Sequence, residues 1–503
     1  MPPREATTSS SSLSDDCRYS ISEPLLSKDD EDYGSINISA DNGILHDREA
    51  ETVSRNVRLI LMYTWFVFAG RSIWNQNVLA AFVYFLRSGN PEAVGYITAV
   101  MGLSQLIVSL PSGYFADKYR RDTMLRVASM VGIVAIAITL SALYYADYRY
   151  LVAALAVWGT YWGIANTSVS ALFADSIKQG QRAYYFTQRS TLVSLANVMG
   201  PFVALLMFVS LGDRWTIRDC AIVMAVGQAV CFPAILLLRY LNDDDAEPYD
   251  EKVSLSQSRE VEDGNSTEDD TASLTSDDQD ESLDGLRAQA LFNCLPRDRL
   301  VPSLVTLADV TAGFASGMSV RYFAIFLCDN LRLSPARVQV VYIISPLIRA
   351  LLMNIAQHMA KEFGRCHVVV SLKWTGVILM FSMVIAYRNG LPWWVVCILL
   401  ILRSAFMNST NALTRSVLMD NIPREERAKW SALESLNTFS WSGSAALGGI
   451  LVGYRGIIFN FYITALLQLL ATIPLVVLFP LDKLESSSHY EKGDEEEKTE
   501  ESA

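Results

Sequence analysis

At 503 residues, with 51% hydrophobic and 19% charged positions, the sequence departs from the composition of ordinary soluble domains and reads as a membrane protein. Its net charge of −12 conceals two regimes: residues 1–50, 242–286 and 482–503 together carry −28, which leaves a cationic body of +16. The bases of that body are scattered among apolar stretches and form no single patch, which argues against nucleic-acid binding.

Residues 1–55 are Ser-rich and acidic and contain no apolar core, so neither a signal peptide nor a transit peptide fits them, and a disordered cytoplasmic tail is expected. Glu23-Pro24-Leu25-Leu26 and Tyr33-Gly34-Ser35-Ile36 resemble sorting signals that adaptors read. They point to the plasma membrane or to an endosomal or vacuolar membrane.

Residues 56–241 hold six apolar stretches, each long enough to cross a ~30 Å hydrocarbon core as a helix. These are spans 1 to 6, expected at 57–86, 93–116, 123–145, 149–175, 184–211 and 217–240. Span 1 carries Arg71 near its centre, followed by Trp74, Asn75, Gln76 and Asn77, and span 4 carries Trp158, Tyr161, Trp162 and Asn166. Between spans 2 and 3 the chain reads Gly113-Tyr114-Phe115-Ala116-Asp117-Lys118-Tyr119-Arg120-Arg121.

Residues 242–299 form an acidic hydrophilic stretch that cannot bury enough apolar surface to fold, and a disordered cytoplasmic linker is expected there. Thr267 and Ser276 precede acids and are candidate kinase sites.

Residues 300–481 hold spans 7 to 12, expected at 301–327, 337–361, 366–387, 391–419, 428–453 and 455–480, before an acidic tail at 482–503. Span 7 carries Asp309 and, farther out, Arg321; span 8 carries Arg349; span 10 carries Arg403, Asn408 and Asn411; span 11 carries Glu434 and Asn437. Lys373 on span 9 lies within snorkelling reach of the cytoplasmic face. Lys and Arg concentrate in the loops at 117–122, 176–183, 361–365 and 420–429, which places those loops and both termini in the cytoplasm.

The two halves repeat. Asp175-Ser176-Ile177 leads to Arg182-Ala183, and Asp420-Asn421-Ile422 leads to Arg427-Ala428 at one offset of 245, with Asn166 falling on Asn411. Phe82 to Leu86 in span 1 has a counterpart in Phe323 to Leu327 of span 7. Matched residues at corresponding helix ends imply two six-helix halves of parallel topology, the arrangement that forms a site between halves near the bilayer midplane.

The run from Gly113 to Arg121 resembles the signature of the major facilitator superfamily, with Arg120 where that family usually has Gly. The resemblance covers roughly residues 56–480. It implies an all-α membrane fold of twelve transmembrane helices in two pseudo-symmetric halves, and a secondary transporter that works by alternating access. It further implies gating roles for Gly113, Asp117, Lys118 and Arg121 on the cytoplasmic face. Asp175, Arg182, Asp420 and Arg427 join that set through the repeat.

An ionisable residue at mid-helix costs at least ~2.5–3.5 kcal/mol, so it faces a partner or a watery cavity. Spans 1 and 7 are symmetry mates beside the cavity, so Asp309 is expected to pair with Arg71 or to carry a coupling proton. Arg71, Arg349 and Arg403, with Asn75, Asn166 and Asn411 as hydrogen-bonding contacts, are the candidate binding set for a small anionic solute, an organic anion or phosphorylated metabolite. The alternative for each arginine is a structural role, capping carbonyls or snorkelling. The alternative for the whole chain is a non-transporting sensor on the same scaffold that signals through its tails. The seven cysteines lack CxxC spacing and the four histidines stand apart from them, so no metal site is read, no cofactor is expected, and no nucleophile–base set suggests an enzyme.

Overall fold

The computed structural model describes residues 54–118, 120–177, 182–243, 297–420 and 427–479. They belong to one compact unit, Val53–Ala503. The sorting patterns, the kinase candidates, nearly all of the acidic linker and the acidic tail lie outside the described residues.

The described residues are helical and contain no strand. Span 1 is two helices, Arg55–Asn75 and Val78–Leu86, interrupted at Gln76 and Asn77. Spans 2 to 6 are Pro91–Lys118, Arg121–Tyr145, Tyr148–Asp175, Arg182–Leu211 and Ile217–Leu237. Spans 7 to 9 are Arg297–Ile325, Pro335–Phe363 and Arg365–Arg388. Span 10 divides into Trp393–Ser409 and Asn411–Asp420, span 11 is Arg427–Arg455, and span 12 divides into Ile457–Leu470 and Ile473–Val476. Twelve spans in two halves is the fold.

Local chemistry sets these boundaries. Ala146 ends span 3 in the left-handed conformation, and Asp147 then accepts from the Arg149 N–H to start span 4. Thr216 caps span 6 by accepting from the Asp219 N–H. Nine of the described helices are long and apolar enough to cross a membrane by composition alone. Spans 1, 4 and 11 are the exceptions: span 1 is broken by its polar run, and spans 4 and 11 carry Trp, Ser, Gly and Asn, which lowers their hydropathy, although span 4 buries much of its length.

Helix packing uses small residues, as expected where lipid supplies no hydrophobic drive between helices. Span 1 packs on spans 5 and 6, span 2 on span 4, and span 7 on spans 11 and 12. The halves meet where span 2 lies along span 11 and span 5 along span 8. In the first of these seams a Cβ on Gly95 would overlap the Ala445 carbonyl, and one on Gly102 would overlap the Ser442 side chain.

Below, the near side is the one carrying Ser54, Arg120 and Phe479, and the far side carries the turns at 87–90, 212–216 and 329–334. Gly113, given a gating role above, makes no tight helix approach in this state: a Cβ there would meet nothing within 4 Å. Spans 2 and 11 touch through Gly95 and Gly102 toward the far side, and Gly113 lies several turns beyond that contact.

Candidate functional site

The break in span 1 is held by a residue of the other half. Where the helix stops at Asn75 its last carbonyls lose their intrahelical donors. Arg321 of span 7 supplies replacements: its guanidinium donates to the carbonyl oxygens of Asn75 and Gln76 and, at 3.0 Å, to the Asn75 side-chain oxygen. Asn75, expected to contact solute, is thus committed to Arg321 in this state. One residue on, Asn77 pairs with Gln339 of span 8, both fully buried. Neither Arg321 as a cap nor Gln339 was legible as a site residue, although the Asn75-Gln76-Asn77 run inside an apolar span signals a break that needs partners.

Further inter-half bonds close the far side. Tyr84 donates to Asp329 at 2.9 Å, the Trp215 indole donates to the Leu333 carbonyl at 2.8 Å, and Asp213 accepts from the Ala336 N–H at 2.7 Å. Tyr322 of span 7 donates to the Ala445 carbonyl within its own half and lies 3.4 Å from the Pro91 carbonyl of span 2 across the halves.

Arg71 lies over the Trp162 ring of span 4, 4.4 Å from its centroid. Such stacking contributes about 0.5–2 kcal/mol and leaves the guanidinium edge free. Arg71 has no hydrogen bond or ion pair among the described residues. Asn166 stands one turn from Trp162 on the same helix face and is exposed. Arg349 on span 8 is half-buried and likewise makes no hydrogen bond or ion pair among the described residues.

A cavity of about 530 Å³ lies in the second half. Span 7 contributes Asp309, Gly313 and Ser316 to its wall, span 9 Lys373, span 10 Arg403, Asn408, Asn411 and Arg415, and span 11 Asn437 and Trp441. It therefore brings together Arg403, Asn411 and Asp309 of the predicted set, while Arg71, Asn75, Asn166 and Arg349 are not among its lining residues. Arg403 donates to Gln468 of span 12 at 3.0 Å, and Gln468 donates on to Ser316. The Arg403 guanidinium also lies 4.9 Å from the Phe323 ring centroid, and its Nε is buried with no hydrogen-bond partner among the described residues.

Asp309 faces Lys373, with Nζ 3.9 Å from Oδ1. This corrects two expectations. The partner of Asp309 is Lys373 and not Arg71, which is stacked on Trp162 in the other half. Lys373 does not snorkel outward: its side chain is 6% exposed and turns inward to the acid, because the pair lowers the cost of burying either charge.

On the near side, Arg121 bonds to Asp175 at the end of span 4, and its backbone N–H donates to Asp243 after span 6. Arg120 donates to Asn242, and Asp122 gathers Arg120 and Arg126. These contacts bind the turn between spans 2 and 3 to its own half. Lys118 lies over the Tyr114 ring. The side chains of Asp117, Arg182, Asp420, Arg427 and Glu434 lie outside the described residues. No three His, Cys, Asp or Glu converge on a metal position among the described residues.

Residues 60–308 match the family model described as Major Facilitator Superfamily, and residues 314–503 match that of the MFS_1 like family. No curated protein sequence matches the chain. Among solved structures it is similar to a bacterial homologue of the iron transporter ferroportin in an inward-facing state, with a TM-score of 0.63 at 15% identity, over 85% of this chain and 100% of that one. It is also similar to a D-xylose-proton symporter, with a TM-score of 0.63 at 14% identity, over 84% and 97% of the two chains. A third similarity is to a nucleoside transporter, with a TM-score of 0.58 at 13% identity, over 84% and 100%. At such identities the likeness is one of fold.

Proposed function

The chain belongs to the major facilitator superfamily, and from that premise we propose that it is a secondary transporter whose cargo is a small organic anion or phosphorylated metabolite. One scaffold in this superfamily serves many cargoes, so the cargo is argued from the site.

The observation that carries the reading is the state of Arg71. A guanidinium held over Trp162, with no carboxylate and no hydrogen-bond acceptor among the described residues, keeps its fork of donors for a ligand. Arg349 and Arg403 also lack a carboxylate partner among the described residues, and the second-half cavity sets Lys373 and Arg403 against Asp309. Such a surface attracts anions and rejects cations.

Alternating access would present this surface to each side in turn as the halves rock. In the described state the far side is bonded shut across spans 1, 7 and 8. Asp309 is the candidate for proton coupling, since an anion that engages Lys373 would leave the carboxylate without its counter-charge.

Uptake into proteoliposomes containing the purified full chain tests this reading. Dicarboxylates and phosphate esters should enter and compete with one another, whereas neutral sugars and nucleosides should neither enter nor compete. Uptake of a neutral solute with no anion flux would overturn it.

A further inference from the structure

Arg321 is not part of the anion set read from the sequence, yet it borders both the cavity and the gate. It is 6% exposed and deep in span 7. Its neighbour Val320 lines the cavity, and its guanidinium lies 5.9 Å from the ring of Trp441, another lining residue. Its acceptors are the two carbonyls freed by the break in span 1 and the Asn75 side chain. No carboxylate among the described residues contacts it, the charge that reaches it is that of Arg71, of the same sign, and its Nε is buried without a partner.

We propose that Arg321 is a two-state ligand: it caps the broken span 1 while the far side is closed, and it binds the anionic group of the solute when the far side opens. This rests on the reading that the cargo is an anion.

The argument follows from where its acceptors sit. All three belong to span 1, in the first half, while Arg321 belongs to the second. Rocking the halves apart on the far side draws span 1 away and strips the guanidinium of these acceptors together. A buried guanidinium with an unpaired Nε and a like-charged neighbour cannot be left bare. The opening itself admits the remedy, because a carboxylate or phosphate entering from the far side supplies paired acceptors in the geometry of the fork. An anion therefore substitutes for the cap and favours the far-open state, while its departure lets the carbonyls of Asn75 and Gln76 reclaim Arg321. The break at Gln76 is what creates those acceptors, since an unbroken helix would bond its carbonyls internally.

The test measures the far-side gap by electron–electron distance between spin labels at Arg87→Cys and Arg332→Cys, both exposed on far-side turns, with native cysteines replaced. Inorganic phosphate and malonate are the probes. In the otherwise native chain the short distance should dominate, and millimolar phosphate or malonate should raise the long-distance population. Arg321→Gln should raise that population about tenfold without any anion and abolish the response to both anions. Arg321→Lys, which keeps the charge but not the fork, should close the gap partly and serves as the folded control if the glutamine variant fails to assemble. An unchanged distance distribution in Arg321→Gln, or in Arg321→Lys if only that variant assembles, overturns the capping role. An anion response that survives in it, or no response in the native chain, overturns the ligand role. The gap is read without flux, so failure of anion uptake with a gate that opens in Arg321→Gln would count against the cargo reading and leave the cap standing.

Discussion

Asn77 and Gln339 exchange both amide hydrogen bonds across the two halves, Asn77 Nδ2 donating to Gln339 Oε1 at 2.9 Å and Gln339 Nε2 donating to Asn77 Oδ1 at 3.2 Å. The pair is fully buried, so each amide depends on the other. Removing one leaves the other unsatisfied, at a cost of about 1–3 kcal/mol to the far-closed state. Asn77→Ala and Gln339→Ala should each shift the gate toward far-open. The double variant should shift it by less than the sum of the two, as read by the same far-side distance measurement; strict additivity would mean that the two amides do not support each other.

Arg71 on Trp162 is predicted to bind the anion directly. Arg71→Gln should weaken competition by dicarboxylates or phosphate esters about tenfold or more, the size of one lost charge-assisted bond. Trp162→Ala should weaken it less, because the charge remains while its platform is lost. Unchanged affinity in Arg71→Gln, measured as binding to protein in detergent, would make Arg71 structural.

Asp309 faces Lys373 at 3.9 Å, a loose pair beside the cavity. Asp309→Asn should remove the stimulation of uptake by an inward proton gradient while solute exchange at equal pH persists. Stimulation that survives the substitution would exclude Asp309 as the proton carrier.

Gly102 meets Ser442 where spans 2 and 11 cross. Gly102→Val adds branches where even a Cβ would overlap the Ser442 side chain, so the far side should be held open and uptake lost while the protein still inserts. Gly102→Val paired with Ser442→Gly should recover part of the rate, and an unaffected rate in the single variant would show that this contact does not gate the cycle.

Arg121 bonds Asp175 within the first half. Arg121→Gln should loosen the turn between spans 2 and 3 and slow uptake, without changing which anions compete. A changed order of anion preference would show that it acts on the cargo.

Hydrophobic length made the twelve spans readable, because a hydrocarbon core fixes how long each must be. The Asp-to-Arg-Ala repeat carried the division into halves, and the run at Gly113 carried the family. Partner choice was not readable, since it depends on how each helix is rotated about its axis. Symmetry between spans 1 and 7 suggested Asp309 with Arg71, whereas the rotation of span 9 delivers Lys373 to Asp309 and that of span 7 delivers Arg321 to span 1. The Asn75-Gln76-Asn77 run marked where span 1 breaks, but not that a residue of the other half would cap it.

The most direct test of the central claim is sided uptake into vesicles holding the purified full chain, with a labelled dicarboxylate or phosphate ester and with a labelled neutral sugar. Saturable uptake of the anion, accelerated by unlabelled anion inside and sharply reduced in Arg71→Gln, is the predicted result. Saturable anion binding with no flux in either direction would contradict transport, and sugar flux indifferent to Arg71→Gln would contradict the anionic cargo.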